Sequence, residues 1–151
     1  DEMFQHNVAE ATKRGLKCGA YHYSYALNEE QAREEARHCR QVIDDAGVLL
    51  ELPVFYDMED ADGYKARYGF AFDAQQITEM CRIFVNEIGL DCGIYASYSW
   101  LCDYIDWKDI GCAVWNAEWG SEDDLKGYMW QYTDMAYIGG KRFDANILYH
   151  E

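Results

Sequence analysis

Short apolar runs alternate with longer amphipathic segments along most of this chain, and few folds accommodate that order. Residues 17–24 (KCGAYHYS), 53–57 (PVFYD), 92–97 (CGIYAS), 112–117 (CAVWNA), 128–133 (YMWQYT) and 143–149 (FDANILY) read as strands. Residues 3–15, 28–46, 73–88 and a short stretch near 98–105 read as helices. Asn28 with Gln31 three residues later, and Asp73, are expected caps; Gly15 and Gly89 are expected stops. Strand–helix–strand repetition implies parallel βαβ units, and near-continuous apolar strands imply a sheet covered on both faces. Towards the C-terminus the helices fade and strands follow one another closely. The reading is therefore an α/β chain with a parallel-rich sheet, helices outside it and the 53–57 strand near its middle. Pro53 is the single proline and no Ser/Gly-rich linker appears, so residues 1–151 read as one domain.

The 53–57 run ends in acid: Asp57-Met58-Glu59-Asp60. Residues two apart on a strand share a direction, so Asp57 and Glu59 would project together from the C-terminal end of a parallel strand. That end is where α/β barrels and open sheets place their sites. Two adjacent carboxyls disfavour joint ionisation, which keeps one protonated near neutrality. A protonated acid beside an ionised partner is what glycosidic cleavage needs. In a chain with 28 acidic residues one such triplet is expected by chance, and an acidic loop is the plain alternative. Trp115-Asn116-Ala117-Glu118-Trp119 and Trp130-Gln131-Tyr132-Thr133 close later strands, and Asp144-Ala145-Asn146 edges the last. Rings and polar tips converging on one end suit a cleft for sugars, with core packing as the alternative for each Trp. His22 could line the same end, as a hydrogen-bonded wall residue rather than an acid or base.

Charge narrows the partners. With 13 basic residues against 28 acidic ones the formal net charge is -15, which excludes a basic nucleic-acid face and disfavours anionic membranes. No apolar run is long enough to span a bilayer. The six cysteines form no C-x-x-C pair and read as reduced, buried small hydrophobes. No His/Cys/Asp spacing suits a metal and no Gly-rich loop precedes a helix, so neither metal nor cofactor is expected.

Six motifs occur in an order that resembles the family 25 glycoside hydrolases, the Chalaropsis-type lysozymes. They are Gly19-Ala20-Tyr21-His22-Tyr23, Leu52-Pro53 with Asp57-Met58-Glu59, Gly93-Ile94-Tyr95-Ala96, the Trp115 and Trp130 runs, and Asp144-Ala145-Asn146. Asp1, Phe4, Asn7, Ala11 and Gly15-Leu16 are similar to the family's first long helix after its second strand. The resemblance implies an irregular, TIM-like β/α barrel that hydrolyses the β-1,4 bond between N-acetylmuramic acid and N-acetylglucosamine. It implies Glu59 as general acid and Asp57 as the group that assists the substrate's 2-acetamido group or stabilises the oxocarbenium-like state. Asp144 would be the family's last cleft aspartate, and Tyr21, Tyr23, Tyr95, Trp115, Trp130 and Gln131 would line the sugar sites. Peptidoglycan glycan strands are the implied partner, reached by secretion or phage lysis. The family's first strand, first helix and second strand, with the cleft aspartate of that first strand, are expected to be missing, leaving the barrel incomplete at its N-terminus. Two copies of the chain would then associate through the open barrel edge. Tyr56, Asn116 and Glu118 depart from the family pattern. A catalytically silent domain that binds wall polysaccharide on the same scaffold is the competing reading.

Overall fold

A computed structural model describes residues 2–149, so the likeness noted at Asp1 lies outside the described residues. Six strands make one sheet in chain order: β1 (Ala20–Tyr23), β2 (Val54–Asp57), β3 (Cys92–Ser97), β4 (Ala113–Ala117), β5 (Met129–Ile138) and β6 (Lys141–Leu148). The first five pair in parallel, and β6 folds back antiparallel on β5. The sheet curls into an incomplete barrel. Because each strand is laid beside its predecessor, β2 stands second from one edge rather than near the middle. The β5–β6 hairpin turns at Gly139-Gly140, both in the left-handed region; β5 runs five residues past the run expected from sequence, and β6 begins two residues before its own.

The helices are α1 (Phe4–Lys13), α2 (Glu29–Ala46), α3 (Tyr64–Arg67), α4 (Ala74–Glu87), α5 (Tyr98–Asp103) and α6 (Trp107–Ile110). Asn28 caps α2 by accepting from the Gln31 amide, while the Gln31 side chain reaches back to the Leu27 amide, one residue earlier than a simple capping box. Glu29 and Glu30 in the first turn suit the positive end of the helix dipole, and Gly47 ends α2 at φ +61°. Asp73 caps α4 as expected, and Gly89 follows it at φ +65°. The single-turn helices α3 and α6 have no counterpart in the sequence reading, since four residues show no period.

The core lies between the sheet's outer face and the α2–α4 layer. Ala32 and Ala36 of α2 are fully buried, and their small side chains let α2 approach α4, whose Ile77, Met80, Cys81 and Phe84 are also fully buried. From the sheet, Val54, Tyr56, Ile94 and Ala96 complete this core. Phe84 stacks on Tyr56 at 3.9 Å between ring centroids, and truncating such a ring to Ala costs about 3–5 kcal/mol. Arg33 and Arg37 of α2 bridge to Glu87 of α4 across the rim of this layer. Among the described residues no helix is long and apolar enough to cross a membrane. Cys39, Cys81 and Cys92 are buried and the six cysteines are unbridged, but Cys102 is exposed rather than buried.

Strand alternation divides the residues between the two faces. Tyr21, Tyr23, Phe55, Asp57, Tyr95, Trp115 and Gln131 turn inwards, while His22, Tyr56, Ile94, Asn116 and Trp130 turn towards the helices. Gly93 is required where it stands. A Cβ there would lie 2.5 Å from the Ala113 carbonyl oxygen and 2.7 Å from the Phe55 ring, so its absence lets Phe55 fill the barrel interior beneath the site.

Candidate active site

Strand register builds the site as a row. Tyr23 stands opposite Asp57, Asp57 opposite Tyr95, and Tyr95 opposite Trp115. Two residues further along β4, Ala117 stands opposite Gln131, and Gln131 opposite Asn146. With Glu59 just past the end of β2, eight residues named from sequence line one cavity of about 290 Å³: Tyr21, Tyr23, Asp57, Glu59, Tyr95, Trp115, Gln131 and Asp144. Asp57 is only 5% exposed and lies at the back, Glu59 is half-buried, and Asp144 stands on the solvent-exposed rim. A larger concavity of about 720 Å³ lies among α4, α5 and α6, but it contains neither Asp57 nor Glu59.

The walls are held by their polar tips. The Tyr95 hydroxyl donates to Gln131 Oε1 at 2.8 Å, and Trp115 Nε1 donates to Asn146 Oδ1 at 2.8 Å. The Trp115 ring packs edge-to-face on Tyr95 and Phe55. Trp130 does not join this wall. It sits beside Gln131 on the same strand and therefore faces the other way, 7% exposed, with its Nε1 donating to the Glu118 carbonyl. His22 is turned away for the same reason, packing on Tyr56 and Phe84 with Nε2 3.8 Å from Glu35.

The two acids perturb one another. Burial, and then the negative charge of Glu59 and a hydrogen bond with it, push the Asp57 carboxyl up from 3.8 to about 8. Burial also raises Glu59, opposed by its hydrogen bond with Asp57 and by the charge of Lys65. The pair thus holds one proton through neutral pH, and that proton belongs to both carboxyls together. One Asp57 oxygen, Oδ1, is buried without a hydrogen-bond partner among the described residues.

Lys65 was not visible as a site residue in the sequence. It is 1% exposed, on α3, and its ammonium donates to the Ser24 and Glu59 carbonyl oxygens. It thereby ties the end of β1 to the backbone of Glu59. The carboxyls of Glu35, Asp60, Asp57 and Asp62 face it, and the Tyr23 ring lies 5.9 Å away. Asp60, the last member of the acidic run, has a structural task. Its two oxygens accept from the Lys65 and Ala66 amides and so hold the first turn of α3. A single Lys shortly after an acidic run and a Gly63 turn was the available signal.

The departures from the family pattern form their own contacts. The buried Tyr56 hydroxyl donates to Glu35 Oε2 at 2.7 Å and meets Ser24 Oγ at 2.8 Å. Asn116 Nδ2 donates to Glu118 and to the buried Asp123, fixing the loop after β4.

The profile of glycosyl hydrolases family 25 matches residues 1–141. Among solved structures, the modular autolysin LytC from Streptococcus pneumoniae, determined with a synthetic peptidoglycan ligand, superimposes with a TM-score of 0.87 at 24% identity. That match covers 99% of this chain and 38% of the autolysin. The CTP1L endolysin follows at 0.80 and 22%, covering 98% of this chain and 52% of the endolysin. A family 25 glycosyl hydrolase from Bacillus anthracis gives 0.72 and 24%, covering 100% of this chain and 72% of that one. The chain therefore spans well under two thirds of the length of the first two of these structures. No curated protein matches it significantly. With the sequence profile spanning most of its length and its sheet laid out as in these enzymes, the chain belongs to glycosyl hydrolases family 25.

Proposed function

We propose that this chain forms the greater part of a cell-wall muramidase domain, spanning residues 1–151. It would cleave the β-1,4 bond between N-acetylmuramic acid and N-acetylglucosamine in peptidoglycan. The observation that carries the reading is the shared-proton pair, Asp57 and Glu59, at the C-terminal end of a parallel strand inside a cleft walled by tyrosines and Trp115. Peptidoglycan as substrate is supported by the ligand of the pneumococcal autolysin, whose fold this chain shares.

In this reading Glu59 is the general acid. It is the more accessible of the pair, so its carboxyl can reach the glycosidic oxygen while Asp57 stays behind. Substrate binding places the shared proton on Glu59, which delivers it to the leaving oxygen as the bond breaks. Asp57, then ionised, accepts from the 2-acetamido N–H or stabilises the positive charge developing on the sugar. Lys65 holds the Glu59 backbone and lowers the cost of that negative charge. Asp144 on the rim, with Tyr21, Tyr23, Tyr95, Trp115 and Gln131, orients the flanking sugars. No metal or cofactor enters this scheme.

The test is Glu59→Gln, assayed by clearing of cell-wall suspensions and by reducing-end release. The amide keeps the shape but cannot deliver a proton, so the rate should fall about 10²–10⁴-fold with the unfolding transition retained. Undiminished clearing by the variant would remove Glu59 from this role.

A further inference from the structure

Beyond the cleft, four tyrosines continue outwards from its wall in an unbroken chain of ring contacts. Tyr23, which lines the cleft, lies 5.1 Å from Tyr25 between ring centroids; Tyr25 lies 4.9 Å from Tyr64, and Tyr64 lies 4.5 Å from Tyr68. Successive planes are inclined at 52°, 79° and 37°, so Tyr25 and Tyr64 meet edge to face, the other two pairs meet at a tilt, and no closed stack forms. Tyr25 is 48% exposed and Tyr68 65%. Tyr25 and Tyr64 also wall a depression of about 300 Å³, closed on its far side by Glu34, Glu35 and His38 of α2. The hydrolytic scheme uses none of the three outer tyrosines.

The segments that carry these rings are braced at the backbone, and Tyr23 also at its hydroxyl. The Tyr25 amide donates to Glu35 Oε1 at 2.7 Å, and the Tyr23 hydroxyl reaches Asp62 Oδ1 at 3.4 Å. Asp62 Oδ1 also accepts from the Tyr64 amide at 3.0 Å. Beneath them α3 is held by Asp60 and by the buried Lys65. A surface ordered before its ligand arrives loses little entropy on binding. Contiguous exposed rings on a soluble chain mark contact surfaces. The acidic rim of Glu34, Glu35 and Asp62, on a chain of net charge -15, disfavours a polyanion. An uncharged polymer with apolar ring faces and hydroxyl and amide edges fits both features, and the track is continuous with the cleft through Tyr23.

We propose that Tyr25, Tyr64 and Tyr68 form an outer subsite for the sugar backbone of a glycan strand, binding units beyond those held at Asp57 and Glu59. The proposal rests on the muramidase reading of the cleft and adds strand-length selectivity to it. The track makes long strands bind better than short ones without touching the bond that breaks.

The experiment uses the full chain carrying Glu59→Gln, so that strands bind without being cut. Strands of alternating N-acetylglucosamine and N-acetylmuramic acid, from disaccharide to octasaccharide and with the lactyl carboxyls capped as amides so that the strand is uncharged, are titrated calorimetrically. Affinity should rise with length in this parent. Adding Tyr25→Ala and Tyr68→Ala together should remove that rise, with about tenfold loss for the octasaccharide, the scale of two aromatic contacts, and none for the disaccharide. Both side chains are exposed, so the fold should be kept; Tyr68→Ala alone and the ring-retaining Tyr25→Phe separate loss of a ring from loss of structure. A length dependence left intact in the double variant overturns the subsite while leaving the cleft reading standing. Absence of binding to every strand by the parent overturns both.

Discussion

Replacing Asp57 by Asn should stabilise the folded chain, and by an amount that grows with pH. The Asp57–Glu59 pair holds a proton in the folded state up to about pH 8, against an ordinary Asp57 value of 3.8, chiefly because Asp57 is buried and then because Glu59 stands beside it. The unfolded chain releases that proton near its ordinary value. Between those two pH values the folded state binds more protons than the unfolded one, so stability falls as pH rises through the window and levels off above about 8. A shift of about four units corresponds to about 5–6 kcal/mol if it acts alone. Part of it is mutual with Glu59, whose own carboxyl relaxes once its neighbour is neutral, so the expected gain is about 3–5 kcal/mol at pH 8.5 and near zero at pH 4. Asn fits the same volume, and its amide can donate to Glu59. Urea unfolding of both proteins at a series of pH values gives the difference directly, with titrating groups remote from the pair cancelling. A difference that stays flat between pH 4 and 8.5 would refute the claim that burial and Glu59 hold the proton on this pair. Under the proposed function the same variant loses activity, so stability and catalysis move in opposite directions at one carboxyl.

Three further outcomes follow from the same geometry. Lys65→Met leaves the Ser24 and Glu59 carbonyls without their buried donor, which should cost about 1–3 kcal/mol in unfolding free energy. It also removes the cation facing Asp57, so the alkaline limb of kcat/KM, expected near pH 8, should move up by about one unit; an unmoved limb would show that the ammonium does not act on the pair. Trp115 lines the cleft and Trp130 does not, so glycan titration should still change fluorescence in Trp130→Phe and much less in Trp115→Phe; the reverse would misplace the cleft. Among the described residues β1 has no strand on its outer side, and Tyr21 is well exposed beside it. This polypeptide alone should therefore sediment as a dimer at micromolar concentration, whereas a strict monomer would show that this edge is not adhesive.

The alternation of strands and helices was legible because β2 and most of β3 are buried on both faces and because α2 and α4 each carry a clear apolar stripe. Asp57 was legible for a related reason: it ends an apolar run, and apolar runs in parallel sheets end where sites form. The assignment of Trp130 beside Gln131 to one cleft ignored the period of two, which places neighbours in a strand on opposite faces, and His22 between Tyr21 and Tyr23 obeys the same rule. Lys65 and the Tyr25–Tyr64 contact could not be read locally, because both depend on α3 folding back over the end of β1. The buried Tyr56 hydroxyl also required the fold, since its partners Ser24 and Glu35 come from two other elements.

The register of β2 has a consequence for how errors in this protein would show themselves. Tyr56 and Asp57 are adjacent, one locked against Phe84 and the other facing the cleft. A slip of one residue would press a carboxyl into the apolar layer between sheet and helices and turn Tyr56 into the barrel, where the Phe55–Gly93 interlock would also fail. Such a state lacks the energy to persist as a compact rival. Misassembled molecules should therefore surface as unfolded or aggregated material and not as a well-folded inactive fraction, so that the yield of folded soluble protein reports folding while its specific activity reports chemistry alone.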